Sequence, residues 1–246
     1  MDALIIAAGY GSRLQEISAS KPMTPIAGIP MLELGVRQAK AAGARRVVVA
    51  TGHQAAQLEA ALPALAARAG IEIEAARVDD WSKPNGWSVI AGAARIEGDY
   101  LLMMADHIFS APILSTLARA GGSTAGVTLA IDRRLDNPLV DPDDATWVET
   151  ASDGRIKAIG KTIARYDAVD CGAFLATPEL AQAIRSAIAA GAAGSLSEGM
   201  QALADAGRAA TLDIGAAWWL DVDDPRAHAL AEAEAPLHLP EIYAAN

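Results

Sequence analysis

The fold is decided near the N-terminus, where an apolar run leads into a glycine-rich turn, ALIIAAGYGSR at residues 3–13. The apolar run at 4–8 has the length and character of a buried β-strand. Glycines directly after a first strand are typical of the turn into the next element of an open α/β sheet, where ligands bind beyond the carboxyl ends of the strands. This stretch therefore predicts an α/β protein with a ligand site close to residue 9.

Short β-type runs continue to alternate with longer segments of helical period through the first half of the chain. Strands are predicted at 4–8, 46–50, 72–76, 100–104 and 126–131, and helices at 31–42, 54–68, 87–94 and 112–120. This alternation predicts βαβ units and a Rossmann-like, mostly parallel mixed sheet flanked by helices.

The rhythm changes between about residues 132 and 172, where turn signals separate short runs. Strands are predicted there at 146–150 and 155–159, and later elements at 178–189 (helix), 196–206 (helix), 209–214 (strand) and after Pro225 (helix). The pattern predicts a small antiparallel lobe at about 132–172 within one domain that spans 1–246.

Composition narrows the class of protein. The chain has 246 residues, 52% of them hydrophobic, and a formal net charge of −10, which argues against a basic surface for nucleic acid. The single cysteine, Cys171, excludes a disulfide framework within the chain and a thiolate cluster for a metal. We see no signal peptide and no apolar run long enough to span a membrane, so we expect a cytoplasmic protein without membrane insertion.

The loop after the first strand has the chemistry of a phosphate site. Gly9 and Gly11 allow the backbone N–H groups to approach phosphate oxygens, Ser12 adds a hydroxyl donor, and Arg13 adds a forked positive charge. The loop lacks the Lys-Ser/Thr of a Walker motif and the third glycine of a dinucleotide fingerprint, which weakens a Rossmann oxidoreductase interpretation. Taken alone, the glycines also fit a plain tight turn with a solvated arginine.

A second segment follows, KPMTPIAGIPML at residues 21–32. Together with the glycine-rich loop it resembles the nucleotidyltransferase family that joins an NTP to a sugar phosphate or alcohol phosphate. The prolines stiffen the chain that brings Lys21 to the loop; the alternative is a solvent-facing lysine. The resemblance implies Arg13 and Lys21 as catalytic residues. The nucleotide-binding residues that it implies are Ala7, Ala8, Gly9, Tyr10, Gly11, Ser12, Arg13, Lys21, Asn85, Gly86 and Asp106.

Two aspartates are candidates for a metal. Asp106 is the first polar residue after the apolar run at 100–104, where a carboxylate is well placed to hold Mg²⁺ with substrate phosphate oxygens. The resemblance pairs it with the aspartate of a late W-x-D motif, which favours Asp221 over Asp223. Taken singly, Asp106 also fits a helix N-cap and Asp221 a turn residue. His107 fits either a phosphate or base contact or a structural role.

Two further motifs resemble those of the CTP-using inositol-1-phosphate cytidylyltransferases. Asn85-Gly86 in the stretch KPNGWS stands where the family reads the nucleobase, although the same dipeptide fits a simple turn before a helix. The run DGRIKAIGK at 153–161, followed by Val169-Asp170, implies that Lys161 grips the acceptor phosphate and that Asp170 binds acceptor hydroxyls. The alternative for Lys161 is an exposed residue on a hairpin edge.

The resemblance therefore implies an Mg²⁺-assisted cytidylyltransferase that moves CMP from CTP to a small phosphomonoester. Inositol 1-phosphate is the acceptor that the resemblance favours. It also implies a separate downstream CDP-alcohol transferase and leaves a homodimer open. Alternatives are another acceptor (phosphocholine, a phosphonate or a hexose 1-phosphate) and a regulatory module that binds nucleotide without turnover. A quaternary ammonium acceptor would favour an aromatic box, and the chain has two Phe and four Tyr, although its five Trp could contribute.

Overall fold

The computed structural model describes residues 1–14, 16–120 and 125–244. The strands are β1 (Asp2–Ala7), β2 (Pro25–Ile26), β3 (Ile29–Pro30), β4 (Arg46–Thr51), β5 (Glu72–Arg77), β6 (Tyr100–Met104), β7 (His107–Phe109), β8 (Val127–Asp132), β9 (Trp147–Thr150), β10 (Ile156–Gly160), β11 (Ala168–Ala176), β12 (Ala209–Asp213) and β13 (Trp219–Asp221). The helices are α1 (Met31–Ala41), α2 (Ala55–Ala69), α3 (Gly86–Ala93), α4 (Ala111–Arg119), α5 (Pro178–Ala189), α6 (Leu196–Asp205), α7 (Pro225–His238) and α8 (Pro240–Tyr243).

A nine-stranded sheet forms the centre of the molecule. Its main path runs β12-β8-β11-β6-β1-β4-β5, and β11 runs antiparallel to both β6 and β8. The other neighbours on this path are parallel, so six of these seven strands share one direction. The predicted mostly parallel mixed sheet is confirmed, and it brings the carboxyl ends of β1, β4, β5 and β6 to one edge.

Apolar side chains of β1 alternate between two cores on opposite faces of the sheet. Ala3 and Ile5 pack with α1, α2 and α4 on one face, whereas Leu4 and Ile6 pack with α3, α5 and α6 on the other. A strand covered on both faces has no polar alternation, which is why the first stretch of sequence is apolar throughout.

The β9–β10 hairpin lies within the predicted antiparallel lobe, but it does not form a sheet of its own. It joins the central sheet because β9 pairs with the start of β11 at Ala168 and Val169. The nine-residue strand β11, which the sequence did not predict, crosses from the hairpin into the middle of the sheet. Asp170 and Gly172 interrupt the apolar pattern of β11, so the sequence did not indicate a strand there.

Smaller differences concern element ends. The strand predicted at 126–131 is Val127–Asp132, and the helix predicted at 54–68 begins at Ala55 because Gln54 adopts a left-handed conformation with φ of 51°. The helix predicted after Pro225 is α7. No helix in the described part of the chain combines the length and the apolarity that crossing a bilayer would require.

Candidate active site

The glycine-rich loop folds directly over the side chain of Lys21. Gly11 has a φ of 63°, and a Cβ at this position would lie 2.5 Å from the Cβ of Lys21 and 2.7 Å from its Cδ. Residues Ser12–Leu14 then form one turn of 3-10 helix. The glycine at 11 is therefore required both by its conformation and by its close approach to the lysine.

Lys21 is more enclosed than the other two predicted cationic site residues, Arg13 and Lys161, with 10% of its side chain exposed. It begins a second 3-10 turn, Lys21–Met23, and its Nζ lies 2.6 Å from Oδ2 of Asp106. It also pairs with Asp223. A lysine buried to this degree must have carboxylate partners, so the solvent-facing alternative is wrong for Lys21.

Asp106, His107 and Asp221 come together where β7 and β13 pair just beyond the end of β6. His107 Nδ1 lies 2.8 Å from Oδ1 of Asp106 and 3.6 Å from Oδ1 of Asp221. The ligand atoms of all three residues lie within 4.8 Å of one another. Oδ1 of Asp221 is buried and accepts no hydrogen bond from the described residues. The two carboxylates lie close together, and one has a buried oxygen that accepts no hydrogen bond from the described residues. They supply the hard oxygen ligands that a divalent cation needs.

The charges of this cluster depend on one another. Burial opposes ionisation of Asp106, but Lys21 and His107 outweigh it and hold the pKa of that carboxyl well below its usual range. Burial also works against a charged His107, yet Asp221 and Asp106 raise its pKa to about 9. The pKa of Asp221 is raised, first by burial and then by the negative charge of Asp106. Acidic groups are thus concentrated where a cation would be bound.

Arg13, Lys21 and Lys161 are linked to one another through two aspartates that the sequence did not select as site residues. Asp223 pairs with both Arg13 and Lys21, and Asp144 pairs with both Arg13 and Lys161. Asp223 had been weighed against Asp221 as a metal ligand. Asp144 belongs to a turn and carries no signal in its sequence.

Two adjoining cavities meet at this charged cluster. The smaller, of about 300 Å³, lies over the glycine-rich loop and is lined by Ala7, Gly9, Gly11, Ser12 and Lys21 among others. The larger, of about 400 Å³, is lined by Lys161, Asp170, Asp221 and Trp219 among others. Arg13, Asp106 and Asp223 line both. The residues predicted for the nucleotide phosphates and those predicted for the acceptor thus fall into neighbouring spaces with a shared wall.

Asp170 lies in the larger cavity because β11 is irregular there. The pairing of β11 with β8 shifts between Asp170 and Phe174. Gly172, with a φ of 75°, packs so closely on His107 that a Cβ would lie 2.5 Å from the ring. Burial raises the pKa of Asp170 to about 6, although the Gly172 N–H donates to its Oδ1 at 2.7 Å.

Sequence analysis missed Trp219 as a member of the site. Its Nε1 donates to the buried carboxylate of Asp132 at 2.9 Å, and its ring stacks on His107 with centroids 5.9 Å apart. The two tryptophans shortly before Asp221 were the feature of the sequence that could have indicated this role.

Asn85 and Gly86 have structural partners that the sequence did not predict. The side-chain oxygen of Asn85 accepts from the backbone N–H of Leu196 at 2.8 Å, at the start of α6. A Cβ on Gly86 would lie 2.3 Å from the carbonyl oxygen of Gly194, so this glycine lets α3 pack against residues 194–195. Asn85 lines the larger cavity. Nucleobase reading by these residues stays a prediction.

Comparison with known proteins places this site in a family. The model of the MobA-like NTP transferase domain matches residues 3–166. The bifunctional IPC transferase and DIPP synthase of Rubrobacter xylanophilus is 32% identical over 233 residues, which are 94% of this chain and 51% of that protein. Its Aquifex aeolicus counterpart is 26% identical over 225 residues, 91% of this chain and 49% of that protein.

The chain therefore spans about half the length of these relatives. Among solved structures, an inositol-1-phosphate CTP transferase from T. maritima superposes with a TM-score of 0.79 at 22% identity, covering 94% of each chain. That likeness concerns the fold. The family model, which matches residues 3–166, begins at the first strand and includes the glycine-rich loop, Lys21, Asp106 and Lys161. The chain belongs to the family of MobA-like NTP transferase domains.

Proposed function

We propose that this chain is a cytidylyltransferase that moves CMP from CTP to inositol 1-phosphate and releases pyrophosphate. The observation that carries the proposal is the pair of cavities that share Arg13, Asp106 and Asp223 as a common wall. A transfer between two substrates needs both reacting groups at one point, and this arrangement supplies it.

The reaction forms one P–O bond and breaks another. A phosphate oxygen of the acceptor attacks the α-phosphorus of CTP, and the bond to the bridging α,β-oxygen breaks so that pyrophosphate leaves. A phosphate monoester is already an anionic nucleophile at neutral pH, so the protein contributes alignment and charge stabilisation rather than a base.

Each residue of the nucleotide side then has a distinct role. The loop amides from Gly9 to Ser12, with Arg13, hold the β- and γ-phosphates. The enclosed ammonium of Lys21 stabilises the charge that develops on the leaving group. Asp223 pairs with both cations, so a bound phosphate would compete with this carboxylate for Arg13 and Lys21.

Asp106 and Asp221 would hold the metal, for which we propose Mg²⁺, because both offer carboxylate oxygens and Mg²⁺ prefers few protein carboxylates together with substrate phosphates. The chemistry that a bound Mg²⁺ supplies is neutralisation of phosphate charge. His107 is held between the two carboxylates and orients them.

On the acceptor side, Lys161 is proposed to hold the attacking phosphate and Asp170 to accept hydrogen bonds from acceptor hydroxyls. A polyol fits a cavity rich in carboxylates, since hydroxyl groups are donors. The same fold carries an inositol-1-phosphate CTP transferase in T. maritima. A CDP-alcohol product would be consumed by a transferase that displaces CMP from it, and we assign the reaction to the cytoplasm.

The experiment is a pyrophosphate-release assay run as a matrix. Four NTPs are each combined with inositol 1-phosphate, phosphocholine or a hexose 1-phosphate, with Mg²⁺ present. We expect release with CTP and inositol 1-phosphate. Pyrophosphate release with CTP and a different acceptor would change the acceptor that we assign. No release with CTP and any acceptor would overturn the proposal. CTP binding without release from any pairing would identify a nucleotide-binding regulatory module.

A further inference from the structure

A carboxylate is fully buried at the end of β8, outside the charged cluster of the site. It belongs to Asp132, the last residue of that strand, which is 0% exposed. Burying an ionised carboxylate is costly unless hydrogen bonds replace the water that it loses. The partners that supply these bonds therefore show which part of the molecule the carboxylate holds.

Both carboxylate oxygens of Asp132 accept hydrogen bonds from more than one donor. Oδ1 accepts from the backbone N–H of Arg134 at 2.9 Å and from its Nε at 2.8 Å. Oδ2 accepts from Nη2 of Arg134 at 2.8 Å, and from Nδ2 of Asn137 and Nε1 of Trp219 at 2.9 Å each. Burial opposes ionisation, but these donors, Arg134 above all, hold the pKa of Asp132 below its usual range.

The partners of Asp132 belong to two separate walls of the larger cavity. Trp219 lines that cavity itself, and Asn137 directly precedes the stretch 138–142, which lines it on another side. The side chain of Arg134 also donates, at 2.8 Å, to the backbone carbonyl two residues before Trp219. One buried carboxylate thus connects the loop after β8 to the segment that carries the indole.

The indole of Trp219 connects Asp132 to the reacting centre. Its ring is 4% exposed and lies 15° from parallel to the ring of His107, with centroids 5.9 Å apart. An imidazole packed against a fixed ring turns only if that ring gives way, because protein interiors are close-packed. The place of the indole therefore limits how His107 can be oriented between Asp106 and Asp221.

We propose that Asp132 is a positioning residue for the transfer reaction: it fixes the indole of Trp219, which in turn holds His107 between the two carboxylates of the reacting centre. Asp132 is fully buried and lines neither of the two cavities, so it acts without touching a substrate. Its effect on turnover rests on the proposed function, whereas the placing of His107 can be measured without any substrate.

The first test measures the position of His107 by NMR. The face of an indole shields the protons of a ring stacked on it, so the ring-proton shifts of His107, assigned with His107→Gln, report the contact. In Asp132→Asn the new NH2 group meets a donor whichever way the amide is turned, and the indole loses its fixed place. We expect the His107 shifts to move toward those of a free imidazole and the Trp219 Nε1–H signal to move upfield.

The second test measures turnover, with the substrate pair for which wild type releases pyrophosphate. Asp132→Asn should lower kcat by roughly 10- to 100-fold, the usual effect of losing a group that orients the residues around such a centre, with KM for the NTP near the wild-type value. Trp219→Phe keeps a ring beside His107 but deletes the Nε1–H, so it should also lower kcat. If the carboxylate acts through the indole, the double variant is no slower than the slower single variant.

Glu33→Gln is the matched control for the loss of a buried carboxylate. Glu33 is 1% exposed and pairs with Arg37 and Arg68, but it lies in α1 and lines neither cavity. It should unfold at a lower temperature than wild type and keep the wild-type kcat and His107 shifts. A purely structural Asp132 would behave in the same way.

Two results overturn the inference in a folded Asp132→Asn protein. One is a His107 spectrum like that of wild type, and the other is a double variant whose loss of kcat equals the product of the two single losses. If Asp132→Asn does not fold, Trp219→Phe undergoes the same NMR and kinetic measurements, and wild-type results in both overturn the inference. If wild type releases pyrophosphate with no substrate pair, the proposed function fails, while the NMR comparison still decides whether Asp132 places His107.

Discussion

The nucleotide side of the site (residues 7–13 and Lys21) and the acceptor side (Asp144, Lys161, Asp170 and Trp219) are built in opposite ways. The nucleotide side comes from one short stretch of chain and encloses Lys21, whose side chain is 10% exposed, although Arg13 beside it is 46% exposed. The acceptor side is assembled from distant strands and turns, and Lys161 is 59% exposed. The ammonium of Lys21 is thus held in place by its neighbours, whereas the exposed acceptor side leaves room for substrates to differ.

The largest effect that this comparison predicts concerns Lys21. We expect Lys21→Met to lower turnover by on the order of 10²–10³, because one aimed positive charge is lost where negative charge develops. Methionine keeps an unbranched stem where Gly11 packs on the side chain, so the loop should keep its shape. The measurement is kcat for pyrophosphate release, with thermal unfolding as the check on folding.

Lys83→Met is the control for that substitution. Lys83 lies over the Trp87 ring, 4.0 Å from its centroid, and contacts neither cavity, so its turnover should match wild type. Wild-type turnover in Lys21→Met would remove the lysine from the catalytic machinery and with it the contrast between the two sides.

The next largest expected effect is on the Mg²⁺ requirement, and it distinguishes the roles of three neighbouring carboxylates. We expect Asp106→Asn and Asp221→Asn to raise the Mg²⁺ concentration for half-maximal activity by at least about tenfold, since each loses a charged oxygen ligand. Asp223→Asn should leave it near the wild-type value, because Asp223 pairs with Arg13 and Lys21 instead. A titration with Mg²⁺ at saturating CTP measures all three. If only Asp223→Asn raised the Mg²⁺ requirement, Asp223 rather than Asp221 would be the metal ligand.

A smaller effect is expected on the exposed acceptor side. Lys161→Ala should raise KM for inositol 1-phosphate roughly tenfold and leave KM for CTP unchanged, the lower end of what a hydrogen bond to a charged group contributes. Lys157→Ala is the control, since Lys157 is similarly exposed and lies outside both cavities. If both KM values rise together in Lys161→Ala, the two sides do not divide the substrates as proposed.

The same contrast explains how far sequence could predict the structure. Gly11 and Lys21 could be singled out because both stand in one short stretch whose motif resembles the family, and residues that close in the chain also lie close in space. Asp144 could not be found, since its partners Arg13 and Lys161 are brought to it by the fold and no local pattern marks it. Strand β11 was missed for a related reason. Its polar and glycine residues serve the site, and they break the apolar pattern by which strands are identified.

Two glycines that the sequence assigned to the nucleotide give the smallest predicted effect on activity. A Cβ on Gly86 meets the Gly194 carbonyl oxygen at 2.3 Å, whereas a Cβ on Gly9 meets nothing within 4 Å. Gly86→Ala should therefore lower the free energy of unfolding by about 1–3 kcal/mol, because the backbone of residues 194–195 must move, while NTP affinity changes little.

Gly9→Ala should weaken NTP binding and leave the free energy of unfolding unchanged. The added methyl group contacts no other residue, but it occupies part of the cavity over the loop. Chemical denaturation and calorimetric titration of both variants provide the measurements. If Gly86→Ala is as stable as wild type but binds NTP poorly, the glycine faces the nucleotide after all. The base would then lie against α3, so this pair of variants also bears on where the nucleotide side of the site ends.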